Sequence, residues 1–119
     1  MRLHHVQVSC PVGGEPAARA FYGDLLGLRE VAKPPALQAR GGVWFRDAGI
    51  ELHIGVEEPF RPACKAHPAL LVDDLDAVAD RLAASGYEVT WDGDFPAYRR
   101  FYTRDGAGNR VEILGELRA

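Results

Sequence analysis

The sequence predicts an α+β protein of two βαβββ modules in a pseudo-twofold arrangement, forming one concave mixed-sheet pocket. Three observations carry this reading. The hydrophobic pattern runs strand, helix, three strands, and then the same order again. The spacing from His5 to Glu51 is 46 residues, and from His67 to Glu112 it is 45. The segments that close each half also match: Gly49-Ile50-Glu51-Leu52 against Arg110-Val111-Glu112-Ile113. The chain reads as a single domain over 1–119, with module one at about 2–55, a linker over 56–66 and module two at about 67–115.

The first strand is expected over 3–9, where Val6 and Val8 alternate with His5, Gln7 and Ser9. After a Pro11-Val12-Gly13-Gly14 loop, a helix runs from Glu15 or Pro16 to Leu26. Pro16 suits a first helical position and Gly27 a C-terminal stop. Ala17, Phe21 and Leu25, with Ala18 and Tyr22, share one side of it. Extended segments follow at 28–32, 42–46 and 49–55, punctuated by Gly41-Gly42 and Asp47-Ala48-Gly49. In the second half, 67–72 is a strand and Asp73 a plausible N-cap. The helix then runs to Ala84 on a Leu75, Val78, Leu82 stripe, closed by Ser85-Gly86. Strands at 87–91, 98–103 and 109–114 complete the module, with a turn over 105–109.

The bulk composition narrows the function. Hydrophobic residues make up 47% and charged residues 26%, an ordinary globular balance. A net charge of −3 argues against a nucleic-acid partner, and no apolar run approaches the length of a membrane span. No signal peptide is read at the start. Cys10 and Cys64 lack metal-type spacing and are expected to be reduced thiols of a cytoplasmic protein.

The informative residues are polar ones on otherwise apolar strands. Glu51 and His53 alternate with Ile50, Leu52 and Ile54, so they face solvent or a wet pocket. His5 and Gln7 stand in the same relation to Val6 and Val8; His67 opens its strand, and Glu112 lies between Val111 and Ile113. Taken singly, each would be an ordinary solvated strand residue. Together, His5, Glu51, His67 and Glu112 make a mixed nitrogen and oxygen set suited to Zn, Ni, Co, Mn or Fe(II). His53 is a rival or additional ligand, and His4, alternating with the pair on the other side, reads as structural or exposed. Arg46, Arg61, Lys65, Arg99 and Arg100 are candidate anion contacts, Arg61 and Lys65 first because they precede His67. Two or three of Trp44, Phe45, Phe60, Trp91, Phe101 and Tyr102 are expected to line the pocket, the remainder to be core. Alternation separates Arg99, Phe101 and Thr103 from Arg100 and Tyr102 without saying which set faces inward.

Over about residues 2–115 the chain resembles the vicinal oxygen chelate superfamily, the glyoxalase/bleomycin-resistance/dioxygenase family. The carriers are Leu3-His4-His5-Val6; the helix phrase Phe21-Tyr22-Gly23-Asp24-Leu25-Leu26-Gly27-Leu28; Gly49 to His53; His67 to Asp74; and the closing Asp105-Gly106-Ala107-Gly108-Asn109-Arg110-Val111-Glu112-Ile113. The resemblance implies four glyoxalase-type ligands at His5, Glu51, His67 and Glu112, or three, without Glu51, in the dioxygenase and fosfomycin-resistance pattern. It implies a metal-dependent lyase or isomerase acting on a small molecule with vicinal oxygens, with Glu112 or Glu51 as general base. A metal-free sequestering protein of bleomycin-resistance type and extradiol-dioxygenase-like chemistry are the alternatives, fosfomycin-type thiol transfer a minor one. Ser9 stands where bacterial glyoxalase I relatives carry an Arg for the glutathione carboxylate, so Gln7 and Ser9 suit another ligand. A homodimer is implied by the family's habit at this length.

Overall fold

A computed structural model describes residues 1–117, which form two compact units, one over 1–62 and one from residue 63 onward. Each unit holds a four-stranded sheet of one plan. In the first, β1 (Val6–Cys10), β2 (Arg29–Val31), β3 (Val43–Asp47) and β4 (Ile50–Val56) lie in the order β1-β4-β3-β2. In the second, β5 (Ala69–Leu71), β6 (Thr90–Asp92), β7 (Tyr98–Arg104) and β8 (Arg110–Glu116) lie in the order β5-β8-β7-β6. The opening strand pairs parallel with the closing strand in both, and the other pairs are antiparallel. The βαβββ repeat is therefore present in topology, beyond its mark in the sequence.

The helix of the first unit, α1, is α-helical over Glu15–Ala18 and widens to a π-helix over Arg19–Leu25. Pro16 lies in its first turn, where a missing N–H costs nothing. The wide turn is the part that periodicity does not foretell. Phe21 and Tyr22, which the spacing sets on one side, are both fully buried, the Tyr22 ring lying 6.0 Å from that of Phe45 on β3. Gly27, at φ +79°, ends it as expected. A single turn, α2 (Pro35–Gln38), was not expected.

In the second unit α3 (Leu75–Ala84) buries Leu75, Val78, Ala79 and Leu82 on the predicted stripe. Its cap is Asp74 rather than Asp73: the Asp74 carboxylate accepts from the Ala77 N–H at 3.1 Å. The strand expected over 67–72 shortens to Ala69–Leu71 because Pro68 has no N–H to give the ladder; its carbonyl accepts from Glu112 N at 3.0 Å. The segment expected at 87–91 pairs only over Thr90–Asp92, and the first strand starts at Val6, leaving His4 and His5 ahead of the ladder.

The closing turn is built by its own side chains. Asp105 Oδ1 accepts from the N–H groups of Ala107 and Asn109 at 3.0 and 2.9 Å, and Asp105 Oδ2 accepts from Asn109 Nδ2 at 3.0 Å. Asn109 Oδ1 in turn accepts from Ala63 N at 3.0 Å, tying the start of the unit to β8. This explains why the Asp-x-x-Gly-Asn phrase marks the fold rather than a reaction.

In each sheet one face is apolar and the other polar. In the first, Val43, Phe45, Leu52 and Ile54 are buried, while Trp44, Arg46, Glu51 and His53 share the opposite face. In the second, Phe101, Thr103, Val111 and Ile113 are buried, which settles the alternation left open above: Arg100 and Tyr102 share the face of Glu112. Among the described residues no helix is long and apolar enough to cross a membrane.

Candidate functional site

The first unit gathers its polar residues where β1 and β4 run side by side. The ladder pairs Val6 with Leu52 and Gln7 with His53, so carrying it back one residue sets His5 level with Glu51. His4 Nδ1 and His5 Nδ1 approach at 2.9 Å, and His4 Nδ1 lies 3.9 Å from Glu51 Oε2. One ligand atom from each of His4, His5 and Glu51 falls within 4.8 Å of the others. Ligands about 2.0–2.2 Å from one cation lie roughly 3–3.5 Å apart, so small side-chain rotations suffice to close this set around an ion. Glu51 is held from behind by Arg46 Nε at 2.8 Å and His53 Nε2 at 3.0 Å. The His53 bond first, and then Arg46, hold the Glu51 carboxyl below its ordinary range.

His53 is buried, and its ring stacks between Trp44 (3.8 Å, 2°) and His5 (4.0 Å, 21°). Burial pushes its proton affinity down, against the pull of Glu51, so the neutral ring is favoured. A carboxylate only accepts; the neutral His53 therefore donates from Nε2.

The second unit builds a tighter pair. Glu112 is buried, and its Oε1 lies 2.9 Å from His67 Nε2 while Oε2 accepts from Arg100 Nη1 at 3.3 Å. Arg100 also reaches Asp92 at 3.5 Å. Tyr102, opposite Glu112 on β7, meets the His67 ring edge-on at 5.6 Å and lies under the Arg110 guanidinium at 3.9 Å. His67 Nδ1 contacts the Lys65 carbonyl at 2.8 Å. A carbonyl cannot donate, so Nδ1 carries a proton, and Nε2 is left facing a carboxylate oxygen that can only accept. Two acceptors 2.9 Å apart repel unless a proton or a cation lies with them. A backbone carbonyl fixing one ring nitrogen so that the other is presented as a ligand is the usual support of a metal-bound imidazole. The first unit thus brings together three donors suited to a divalent cation, and the second offers two, His67 and Glu112.

The two units differ in one respect that spacing in the sequence conceals. In the second, Glu112 is level with Ala69, two residues beyond His67. In the first, the residue level with the position two beyond His5 is His53, not Glu51. By sheet register, then, His53 stands to His5 as Glu112 stands to His67. Of the other expected contacts, Arg61 and Lys65 are exposed, Arg46 is engaged by Glu51, and Arg99 is held by Asp76 at 3.0 Å. His4 is exposed, as expected, and because it lies ahead of β1 its ring can still bring Nδ1 beside His5 and Glu51. Arg100, a candidate anion contact, meets the Glu112 carboxylate, and Trp44, a candidate pocket aromatic, covers His53.

The Glyoxalase/Bleomycin resistance protein/Dioxygenase superfamily model matches residues 2–113. Among solved structures the chain is similar to a glyoxalase family protein from Bacillus anthracis, at 45% identity and a TM-score of 0.90, covering 98% of this chain and 100% of that one. It shares its fold with a lactoylglutathione lyase from Agrobacterium tumefaciens (24% identity, TM-score 0.67, 96% and 94% covered). It also shares it with a mutant fosfomycin resistance protein, FosX, from Listeria monocytogenes, complexed with Mn(II) and 1S,2S-dihydroxypropylphosphonic acid (18% identity, TM-score 0.79, 98% and 92% covered). No curated protein matches by sequence.

Proposed function

Since the chain belongs to the glyoxalase/bleomycin resistance protein/dioxygenase superfamily, we propose that it is a metal-dependent enzyme of lyase or isomerase type acting on a small molecule with two adjacent oxygens. The observation that carries this is the His67–Glu112 pair: His67 Nδ1 donates to the Lys65 carbonyl, which leaves Nε2, 2.9 Å from Glu112 Oε1, to share a proton or a cation with that carboxylate. His5 and Glu51 in the first unit, and His67 and Glu112 in the second, are the ligands; His4 supplies a further donor beside the first pair. The FosX complex holds Mn(II) with a ligand whose hydroxyls sit on neighbouring carbons, which supports a substrate of that class here. A bound divalent cation would polarise a substrate carbonyl and stabilise an enediolate. Of the two carboxylates, Glu51 has its proton affinity lowered by His53 and Arg46 and serves better as a fixed anion. Glu112 is then the base that takes a proton from the carbon next to the carbonyl and returns it. Tyr102 and the exposed Arg61 and Lys65 are the remaining substrate-side candidates, the two cations for an anionic group, while His53, the other residue considered for that role, is buried and turned to Glu51. A cytoplasmic homodimer is part of the same reading, and sedimentation across a dilution series tests it.

One observation favours a second reading, a metal-free binding protein. Glu51 and Glu112 each already hold an arginine, Arg46 and Arg100, so their charge is balanced without an ion. Titration with Ni(II), Zn(II) and Mn(II) separates the two. Stoichiometric binding lost in Glu112→Gln, with metal-dependent exchange of the α-proton of small hydroxycarbonyl compounds in deuterated water, is expected. Absence of binding by all three ions leaves the sequestering protein.

A further inference from the structure

We propose that His53 is a positioning residue: clamped face to face between Trp44 and His5, it fixes Glu51 by a hydrogen bond and so sets how well that carboxylate binds a cation. The inference rests on the metal-site reading for its consequence, but its geometry belongs to the first unit alone. His53 Nε2 lies 3.0 Å from Glu51 Oε2, and only 5% of the His53 side chain is exposed. The Trp44 ring covers one face at 3.8 Å and 2°, and the His5 ring covers the other at 4.0 Å and 21°. A ring held on both faces cannot tilt, so Nε2–H has one direction, and Glu51 lies along it. The same clamp argues against His53 as a ligand beside His5, because parallel stacked rings aim their nitrogens side by side and not toward one point. Ladder pairs reinforce this: Trp44 is the β3 partner of His53, and Gln7 its β1 partner, so strand register places the clamp. Glu51 is thereby braced on both oxygens, by Arg46 at Oε1 and His53 at Oε2. Side chains of this kind typically alter metal affinity by about 10–100-fold when removed.

The test has two arms. In the first, Ni(II) and Zn(II) are titrated into full-length wild type, His53→Phe and His53→Gln, each checked for an unchanged circular dichroism spectrum. Phe keeps a flat ring against Trp44 and loses the donor; Gln keeps a donor near Nε2. His53→Phe should bind about 10–100-fold more weakly, and His53→Gln should recover most of the loss. Equal affinity of wild type and His53→Phe, or a His53→Gln variant as weak as His53→Phe, overturns the proposal. The second arm needs no metal and no change at His53. Long-range nitrogen–proton spectra should show His53 as the neutral Nε2–H tautomer in wild type and shift it in Glu51→Ala. A tautomer indifferent to Glu51→Ala overturns the brace. If wild type binds neither ion, the metal-site reading falls, and the tautomer still decides whether His53 holds Glu51.

Discussion

Replacing Gly42 with alanine should separate backbone strain from steric conflict at the strand that carries His53. Gly42 sits at φ +86°, and a Cβ there would lie 2.2 Å from the Ile54 carbonyl oxygen and 3.3 Å from its carbon. Ile54 is in β4, next to His53, and is paired on both sides, so neither atom can swing away as a side chain could. The left-handed backbone costs alanine about 1 kcal/mol. Moving a paired strand aside adds about 2 kcal/mol, by the measure of overpacked cores. Gly49 is the control: its φ is +79°, but nothing lies within 4 Å of a Cβ there, so only the first cost applies. At about 3–6 °C per kcal/mol for a chain of this size, Gly42→Ala should melt roughly 10–15 °C lower and Gly49→Ala roughly 3–6 °C lower. Differential scanning calorimetry of both variants beside wild type is the assay. Melting of Gly42→Ala within about 2 °C of Gly49→Ala would refute the reasoning, since the clash would then carry no cost.

Further outcomes follow from the same geometry. Because burial lowers the proton affinity of His53, the unfolded chain takes up a proton that the folded one refuses. Stability of the metal-free protein should then decline as pH falls below the ordinary value of 6.5, and His53→Phe should flatten that portion of the melting curve against pH. Glu51 is held low, so its stabilising contribution is present above the ordinary value of 4.5 and lost as pH falls beneath it, adding a second, more acid decline. Arg46→Met should raise the Glu51 titration midpoint, by less than His53→Phe does, since the His53 bond is the larger cause; carbon-13 detection of the Glu51 carboxyl reads this order directly. Asn109→Ala strips partners from Asp105 and from the Ala63 N–H inside a buried turn, and urea unfolding should show a loss of about 2–4 kcal/mol.

The repeat, the α3 stripe and the closing turn were legible in the sequence because each rests on local periodicity or on side chains that satisfy their own backbone. Leu75, Val78 and Leu82 recur at helical spacing, and Asp105 and Asn109 bond within five residues. Features that depend on long-range pairing were not legible. The π-helical stretch over Arg19–Leu25 has no mark in a pattern whose apolar residues recur at ordinary helical spacing. The face of β7 turned toward Glu112 depends on the ladder pairing Tyr102 with Glu112. At the candidate site, the histidines and carboxylates could be named from their misfit among apolar neighbours. Their supports, Trp44 behind His53 and Arg100 beside Glu112, sit on other strands, so the sequence offers each only as one of several candidate aromatics or cations.

The register offset between the sheets has a consequence for protein engineering. In the first sheet the opening and closing strands pair at a separation of 46 residues (Val6 with Leu52), in the second at 43 (Ala69 with Glu112). A chimera made by joining two copies of the first half would therefore not reproduce the chemistry of the natural chain. Where Glu112 stands it would set a second copy of His53, a clamped imidazole that braces a carboxylate, and the buried carboxylate that meets His67 would be lost. The halves are alike enough to share a blueprint and unlike enough that neither can be substituted for the other.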